Sequence, residues 1–276
     1  MTGSPGSGRY DQGQTPTIDI SVPHTARVWN YLLGGKDNYP ADRASAELSL
    51  SMIPDAADAA RADRKLLMRV VRYLVGEVGI RQFLDIGTGL PTDNNTHEVA
   101  QATAPECRVV YVDNDPLVLV HARALLTSTP EGITHYLEAD LRDPEKILQA
   151  AAETLDFTQP IALMLLGIVN HIVDDDEAYA IVNHLVDAVP SGSYLVMSHS
   201  TADFHGETME RVMRLWNEGG GTPPIVARSR QELARFFDRL ELLAPGVVSS
   251  SLWRPEHCDL GTPTEVFQIC GIGRKP

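Results

Sequence analysis

Residues 83–89 of this chain read Phe-Leu-Asp-Ile-Gly-Thr-Gly, a short apolar stretch that reaches an acid and runs into a glycine turn. Glycine allows a tight turn and lets a ligand approach the backbone. Asp113 and Asp140 likewise stand at the ends of later apolar segments. Ligands of open α/β sheets bind at the carboxyl ends of the strands. The spacing of Asp85, Asp113 and Asp140 therefore predicts one ligand site at that end of a parallel sheet.

From this stretch toward the C-terminus, apolar segments of strand length alternate with amphipathic segments of helix length. The predicted strands are residues 83–86, 109–112, a segment ending at 138, 161–166 and 194–197, and the predicted helices are residues 116–126, 144–155, 174–189, 208–216 and 229–240. Such βα units imply a parallel sheet with right-handed crossovers. Residues 246–253 and 264–272 alternate like strands with no helix between them, which predicts an antiparallel hairpin. The predicted fold class is α/β: a Rossmann-like, doubly wound, mainly parallel sheet of seven strands that ends in this hairpin.

The N-terminal part of the chain departs from this pattern. Residues 1–22 are rich in Gly, Ser, Thr and Pro, which predicts a mobile tail. Residues 23–60 predict two helices separated by Gly34-Gly35, and the main domain follows at residues 61–276. Polar side chains crowd the glycine pair: Asn30, Tyr31, Lys36, Asp37, Asn38 and Tyr39. We expect residues 23–60 to form a helical lid that covers the strand ends and contacts substrate through this polar set. The alternative is a surface extension that only covers an edge.

Composition and charge limit the kinds of partner that this chain is expected to bind. The chain has 37 acidic and 23 basic residues and a formal net charge of −14. This disfavours nucleic acid, because its binding relies on Lys and Arg that neutralise phosphates. No apolar run approaches the roughly 18 residues of a membrane span, and the N-terminus lacks an apolar signal core. Three scattered cysteines without a CxxC pair indicate a reducing, cytoplasmic location and no zinc site. The run Asp174-Asp175-Asp176 is interpreted as a helix start, so no metal is expected.

The glycine turn narrows the choice of ligand. Thr92 replaces the third glycine of a dinucleotide-binding fingerprint, and no Gly-Lys-Ser/Thr is present as in a phosphate-binding loop. The turn therefore suits a ligand that needs close backbone contact but brings no pyrophosphate. Asp113 could accept hydrogen bonds from the vicinal hydroxyls of a ribose. Asp140 could accept one from an adenine amino group while Leu141 packs on the ring. The alternatives are that Asp113 and Asp115 cap the next helix, and that Asp140 is a loop acid without a ligand.

Taken together, Asp85-x-Gly87-x-Gly89, Asp113 and Asp140-Leu141 resemble the motif series of class I Rossmann-like methyltransferases. Three stretches resemble more closely a bacterial family of S-adenosyl methyltransferases of unknown substrate: residues 27–39, 83–92 and 229–246. The resemblance covers nearly all of the chain after residue 22, and the stretch from Leu33 to Asn38 is specific to that family. It implies the fold and S-adenosyl-L-methionine as the cofactor, and it leaves the substrate open.

Further residues are candidates for contact with the same ligand. Arg61 and Arg64 stand just before a long amphipathic helix that the apolar residues from Leu66 to Val78 predict and that leads into the first strand. Either could pair with the carboxylate at the amino-acid end, although an arginine on a helix is more often a surface charge. Other candidates follow strand ends: Thr92, Asn94, Asn95, Asn114, Gly167 and Ile168. If the acceptor is a hydroxyl, His171 or His199 could remove its proton, the alternative for each being a structural histidine.

These observations predict an S-adenosylmethionine-dependent methyltransferase that acts on a small-molecule acceptor at oxygen or nitrogen. The methyl group arrives activated, so the protein mainly supplies orientation and desolvation. Two alternatives stay open: a non-catalytic sensor of S-adenosylmethionine or S-adenosylhomocysteine, and a nicotinamide-dependent oxidoreductase on the same fold. The missing third glycine and the C-terminal hairpin count against the oxidoreductase.

Overall fold

The structure, a computed structural model, describes residues 18–125, 127–255 and 263–276, so most of the predicted N-terminal tail lies outside it. Its central sheet contains β1 Gln82–Ile86, β2 Arg108–Asp113, β3 Ile133–Glu138, β4 Ala162–Leu166, β5 Tyr194–Ser200, β6 Glu241–Leu242, β7 Val248–Ser249 and β8 Gln268–Arg274. The strand order is β3-β2-β1-β4-β5-β8-β6, with β7 also paired to β8. Strands β1 to β5 are parallel, and β8 is antiparallel to its three neighbours. The predicted α/β class with an antiparallel end is confirmed.

The antiparallel end differs in detail from the prediction. The hairpin between residues 246–253 and 264–272 is present, because β7 pairs with β8 in antiparallel register. A further short strand, β6, pairs with the end of β8, so the described sheet has eight strands instead of seven. Pro245 lies between β6 and β7 and has no N–H for a ladder hydrogen bond, which divides this edge into two short strands.

The helices that cover the sheet are α1 Thr25–Leu32, α2 Pro40–Met52, α3 Ala56–Tyr73, α4 Thr96–Thr103, α5 Pro116–Leu125, α6 Pro144–Ala151, α7 Asp175–Ala188, α8 Glu207–Glu218 and α9 Arg230–Arg235. Helix α3 crosses the predicted boundary at residue 60 without a break and continues into a π-helical turn at Leu74–Val78. The carboxylate of Asp174 accepts a hydrogen bond from the N–H of Glu177 at 2.8 Å, which confirms a helix start there. Within the described ranges, no helix combines the length and apolarity that a membrane span requires.

Both faces of the sheet are buried. Leu84 and Leu163 contribute to the apolar core on one face, together with residues of α6, α7 and α9. Phe83 and Met164 contribute to the core on the other face, together with residues of α3 and α4. All four side chains are fully buried, as expected for central strands of a parallel sheet. A third apolar cluster joins α1, α2, the start of α3 and α8.

The order of the strands creates the crevice that positions the site. From β1 the chain passes outward to β2 and β3, then returns to β4 on the other side of β1. Ligands of such sheets bind where the order reverses, at the carboxyl ends of the strands. The structure places Asp85 near the end of β1, Asp113 at the end of β2 and Asp140 just after β3. The three acids therefore stand at neighbouring strand ends, on the same end of the sheet.

Substitution of Gly271 in β8 tests how tightly the antiparallel end of the sheet is packed. A Cβ at this position would stand 2.7 Å from Cε2 of Phe237. Because such overlap forces the neighbours apart, we expect Gly271→Ala to lower the free energy of unfolding by about 1–3 kcal/mol. Gly76→Ala is the matched control, since its Cβ would meet only Thr103, at 3.9 Å. Urea denaturation measures both variants, and equal losses would contradict this packing.

Candidate active site

A cavity of about 250 Å³ lies at the carboxyl ends of β1 and β4. The strand ends and the glycine turn line one side of it, and residues of α1 and α8 line the other. A neighbouring cavity of about 40 Å³ is lined in part by Asp140 and Leu141. Asp113, Asn114 and Ile168 line both cavities, which are therefore adjacent. The crevice at the switch point therefore holds two adjoining cavities, which together extend from β3 to α8.

The glycine turn offers both backbone contact and free space. Gly87 and Gly89 have φ values of +77° and +66°, in the left-handed region that favours glycine. A Cβ on Gly87 would stand 2.5 Å from Cδ1 of Ile168, so that side chain packs directly on the turn. Nothing lies within 4 Å of a Cβ built on Gly89. The backbone at Gly89 is therefore open to a ligand in the cavity.

Asp113 is held by backbone N–H groups. Its Oδ2 accepts from the N–H of Gly89 and its Oδ1 from the N–H of Asp115, both at 2.9 Å. Burial raises the pKa of Asp113 to about 6, and these hydrogen bonds act in the opposite direction. A carboxylate offers about four lone-pair sites, so both oxygens can still accept from ligand hydroxyls. The capping alternative applies to Asp115, whose carboxylate accepts from the N–H of Leu117 at 2.8 Å in α5.

Asp140 and Leu141 lie at the far end of the smaller cavity. The Oδ2 of Asp140 accepts from Nδ2 of Asn114 at 3.1 Å, and its Oδ1 accepts from the N–H of Arg142 at 2.8 Å. The Asp140 side chain is 42% exposed, whereas Leu141 is 5% exposed. A hydrogen-bond acceptor beside a buried apolar surface can bind a flat ring that carries an amino group at its edge.

Asp85 and Arg64 line the cavity on the other side of the glycine turn. Burial raises the pKa of Asp85 to about 6. The hydrogen bond that it accepts from Oγ1 of Thr96 at 2.6 Å and the charge of Arg64 both act to lower this pKa. The Nη2 of Arg64 donates to the backbone oxygen of Asp93 at 3.1 Å and to Oδ1 of Asn95 at 3.3 Å. Its Nε is buried and has no hydrogen-bond partner in the described part of the chain. The guanidinium therefore retains donor capacity for a ligand carboxylate.

The other predicted ligand contacts divide into two groups. Thr92, Gly167 and Ile168 line the larger cavity. Asn94 and Asn95 do not line it. Asn95 forms a capping box at the N-terminus of α4, and Asn94 has a φ of +62° in the preceding turn. These two asparagines therefore shape the loop that the site uses, because their short polar side chains suit a turn and a cap.

Arg61 is not part of the site. Its side chain is 54% exposed, and its Nη2 pairs with Oδ1 of Asp58 at 2.7 Å on the surface of α3. It does not line either cavity. The surface-charge alternative therefore holds for Arg61, whereas Arg64 on the next turn of the helix reaches the site.

Asn30 lines the cavity but uses its side chain to shape the glycine turn after α1. It is 4% exposed, and its Oδ1 accepts from the N–H of Asp37 and from Nδ2 of Asn38, both at 3.0 Å. The side chain occupies the space that a Cβ of Gly35 would need. The chain therefore wraps around Asn30, and this close approach requires glycine at position 35.

The remaining members of the predicted polar set do not line the cavity: Tyr31, Lys36, Asn38 and Tyr39. Tyr31 donates to Oε1 of Glu47 in α2 at 3.1 Å, and Tyr39 is the N-cap residue of α2. Lys36 is exposed. The prediction that these four contact substrate is corrected, because they stabilise the turn and α2 or face solvent. The apolar face of α1 lines the cavity in their place.

His171 lines both cavities. Its Nδ1 donates to the backbone oxygen of Pro224 at 3.1 Å, and its Nε2 lies 3.4 Å from Oγ1 of Thr25 in α1. Burial lowers the pKa of His171 to about 4, so the ring is neutral at pH 7. This histidine connects the segment after β4 to the start of α1.

His199 is fully buried and does not line the cavity. Its Nε2 accepts from Nη1 of Arg228 at 2.9 Å, and its Nδ1 donates to the backbone oxygen of Ser200 at 2.8 Å. Burial lowers the pKa of His199 to about 3, which keeps the ring neutral beside the guanidinium. The prediction of His199 as a base is therefore wrong, because both ring nitrogens are used inside the protein.

The structure also brings polar residues to the cavity that the sequence did not suggest: Asp63, Asn170, Ser200 and Gln268. Asp63 lies on the buried stripe of α3, at helical spacing from Ala60 and Leu67. A carboxylate on an apolar stripe is an unusual pattern that could have identified it. Gln268 had no comparable signal, because only the pairing of β8 with β5 brings it to the site.

Comparison with known proteins agrees with this geometry. The model of a family described as S-adenosyl methyltransferase matches residues 11–276. The crystal structure of a DUF574 family protein from Streptomyces avermitilis has a TM-score of 0.88 and 44% identity, covering 94% of this chain and 100% of that chain. The structure of a proposed methyltransferase from Thermobifida fusca has a TM-score of 0.84 and 44% identity, covering 93% and 96%. A search of curated proteins found no match.

The fold and the cavity define an α/β protein with a cavity at the switch point of its sheet. The family match specifies the class further, and the chain belongs to the S-adenosyl methyltransferase family. It is an S-adenosylmethionine-dependent methyltransferase with S-adenosyl-L-methionine as its cofactor. The sequence left open a methyltransferase, a sensor and an oxidoreductase, and the family match supports the methyltransferase.

His199 and His184 form a matched pair for testing the structural role of His199. We expect His199→Ala to lower the free energy of unfolding by about 2–4 kcal/mol, because it leaves a cavity and removes an acceptor from buried Arg228. His184 is 47% exposed beside Glu145, and His184→Ala should change the free energy by less than about 0.5 kcal/mol. Chemical denaturation at pH 7 measures both. Weaker cofactor binding in His199→Ala without a loss of stability would contradict the structural role.

Proposed function

We propose that this methyltransferase acts on a small-molecule acceptor held in the cavity between the strand ends and α1. One observation supports this most directly: a single cavity joins the acids of β1 and β2 to an apolar wall from α1 and α8. The first part suits a nucleoside linked to an amino acid, and the second suits an acceptor with an apolar body. The net charge of −14 disfavours a nucleic acid as the acceptor.

The residues around the smaller cavity fit the adenosine part of the cofactor. The carboxylate of Asp113 accepts from the N–H groups of Gly89 and Asp115, and its remaining lone-pair sites leave capacity for ribose hydroxyls. Asn114 connects Asp113 to Asp140 and would contact the ribose or the ring. Asp140 would accept from the adenine amino group, and buried Leu141 would contact the ring face. These four residues are the proposed adenosine contacts, with Ile168 on the opposite side.

The residues beyond the glycine turn fit the amino-acid part. The buried Nε of Arg64 is an orphaned donor, and a ligand carboxylate would satisfy it. Asp85 lies beside it and would attract the ligand ammonium group, and Thr92 lines the same part of the cavity. We assign Arg64 as the carboxylate contact in preference to the exposed Arg61.

When bound, S-adenosyl-L-methionine supplies a methyl group on a sulfonium sulfur, an electrophile that is already activated. The chain therefore contributes position and exclusion of water. Helix α1 is fixed over the strand ends by several contacts. Nδ1 of His24 lies 3.1 Å from Oδ2 of Asp115, and the N–H of Thr25 donates to the backbone oxygen of Thr222 at 3.0 Å. We propose that residues 23–60 act as a lid, and that His171 helps to hold it through Thr25.

Arg64 and Arg61 allow a matched test of the amino-acid end. A hydrogen bond to a charged group contributes about 1.5–3 kcal/mol, so Arg64→Ala should weaken S-adenosylhomocysteine binding roughly 10- to 100-fold. Arg61→Ala should leave the affinity unchanged, because its guanidinium faces solvent. Isothermal titration calorimetry measures both variants.

A second ligand separates this direct effect from a disturbed loop, since Arg64 also holds Asp93 and Asn95. 5′-Methylthioadenosine lacks the carboxylate, so its affinity should be nearly the same for wild type and Arg64→Ala. An equal loss for both ligands would show that Arg64 acts only through the loop.

The class of acceptor is tested with methyl-labelled cofactor and a cell extract separated into small-molecule, protein and nucleic-acid fractions. The wild type should transfer label to the small-molecule fraction. Asp113→Asn removes the charge expected at the ribose and should reduce this labelling when the cofactor is below saturation. Label in the protein or nucleic-acid fraction would contradict the proposal.

A further inference from the structure

Two residues that line the cavity each have a buried side-chain oxygen without a hydrogen-bond partner in the described part of the chain: Oδ1 of Asp63 and Oδ1 of Asn170. The two residues are 7% and 8% exposed. A buried polar atom without a partner costs free energy, so native structures rarely keep one without a reason. Two acceptors in this state on residues that line one cavity indicate a ligand that donates hydrogen bonds.

The carboxylate of Asp63 is oriented by a hydrogen-bond network from β5 and β8. Asp63 accepts a hydrogen bond from the hydroxyl of Ser198. Nε2 of Gln268 donates to Oγ of Ser198 at 3.3 Å, and Oγ of Ser200 donates to Oε1 of Gln268 at 3.1 Å. Ser198 is fully buried and Gln268 is 1% exposed. The network orients the carboxyl group of Asp63, a residue that lines the cavity.

The position of Asp63 separates it from the proposed cofactor contacts. Ser198 lies on β5, and β4 stands between β5 and β1. Neighbouring strands are about 4.8 Å apart, so Ser198 is on the order of 10 Å from the glycine turn, on the side away from Asp113. Arg64, the next residue of α3, interacts with Asp85 beside that turn. Adjacent residues of α3 therefore serve two different parts of the cavity.

The part of the cavity away from the adenosine contacts is largely apolar. Its lining includes Trp29, Leu33, Met209, Met213, Trp216 and Phe267. Among the described lining residues, the carboxylates are Asp63, Asp85 and Asp113, and Arg64 is the one guanidinium. This excess of acids repels a carboxylate acceptor and favours a neutral or cationic one.

We propose that Asp63 is a catalytic residue that accepts a hydrogen bond, and then the proton, from the N–H or O–H group of an amine or hydroxyl acceptor with an apolar body. The inference rests on the proposed function. The acceptor nitrogen or oxygen forms a bond to the methyl carbon as the carbon–sulfur bond breaks and its electron pair stays on sulfur. The acceptor proton moves to the carboxylate of Asp63, which becomes a neutral carboxylic acid.

The surroundings of Asp63 suit this role. Burial raises the pKa of Asp63 to about 6, and Ser198, Arg64 and Arg69 act in the opposite direction. Cys270 of β8 also lies close enough for the charge of Asp63 to affect its thiol. A base whose pKa lies near the working pH is ionised and still basic enough to take a proton.

Three probes with one apolar skeleton test the proposal: phenethylamine, 2-phenylethanol and 3-phenylpropionate. Their affinities for the protein saturated with S-adenosylhomocysteine are measured by ligand-observed NMR. The amine and the alcohol should bind more tightly than the carboxylate. A charge-assisted hydrogen bond is lost in Asp63→Asn, so the preference for the amine over the carboxylate should fall by about tenfold or more. Affinity for S-adenosylhomocysteine should not change.

Asp58→Asn is the matched control, because Asp58 lies on the same helix, is 64% exposed and pairs with Arg61. It should leave every affinity unchanged. Equal binding of amine and carboxylate by the wild type, no binding of either, or a preference that survives Asp63→Asn would overturn the proposal. Weaker S-adenosylhomocysteine binding in Asp63→Asn would also overturn it, by assigning Asp63 to the cofactor. Failure of the wild type to bind S-adenosylhomocysteine would instead refute the proposed function.

Discussion

The site depends on the position of β1 between β2 and β4. Because the chain leaves β1 toward β2 and later returns to β4, the loops that follow β1 and β4 diverge and open a crevice. The hydrogen bond from the N–H of Gly89 to Asp113 joins the ends of β1 and β2 at this point. Ile168, after β4, packs on Gly87 from the other side. Three strand ends are thus held in one arrangement before any ligand binds.

The N-terminal helices have a rigid connection of their own. Nε of Arg27 in α1 pairs with Oδ1 of Asp42 in α2 at 3.1 Å, and the two side chains are 3% and 0% exposed. The Nη2 of Arg27 also donates to the backbone oxygens of Asp19 and Val22. A buried ion pair is tolerated when its remaining polar atoms are satisfied in this way, and removal of one partner is strongly destabilising. Helix α1 therefore reaches the strand ends as part of a preassembled unit with α2.

Three carboxylates around the cavity are kept buried, and burial raises the pKa of Asp63, Asp85 and Asp113 to about 6. Burial of an acid is unfavourable for folding, and clusters of such groups concentrate at functional sites. A cofactor with a positive sulfonium and an ammonium group would offset this negative charge. Away from the ends of β1 and β2, the lining of the same cavity is largely apolar and includes one of these acids, Asp63.

Local sequence patterns determined the strands, most helices and the acids at the strand ends. Each acid stands at or near the end of an apolar strand, and a glycine turn follows Asp85, so short-range patterns are sufficient to identify Asp85, Asp113 and Asp140. The apolar face of α1 was also visible in the sequence, although its polar residues drew the prediction toward substrate contacts. Those residues instead bond to the neighbouring turn and helix, which no local pattern specifies.

Tertiary structure alone decided which side chains share the cavity. Arg61 and Arg64 are alike in sequence, and only the packing of α3 on the sheet places one in solvent and the other beside Asp85. His171 follows β4 and His199 lies near the end of β5, but Arg228, distant in sequence, uses the ring of His199. Gln268 reaches Ser198 because β8 inserts between β5 and β6. These contacts join segments far apart in the chain, and their geometry depends on the packing of the whole sheet rather than on neighbouring residues.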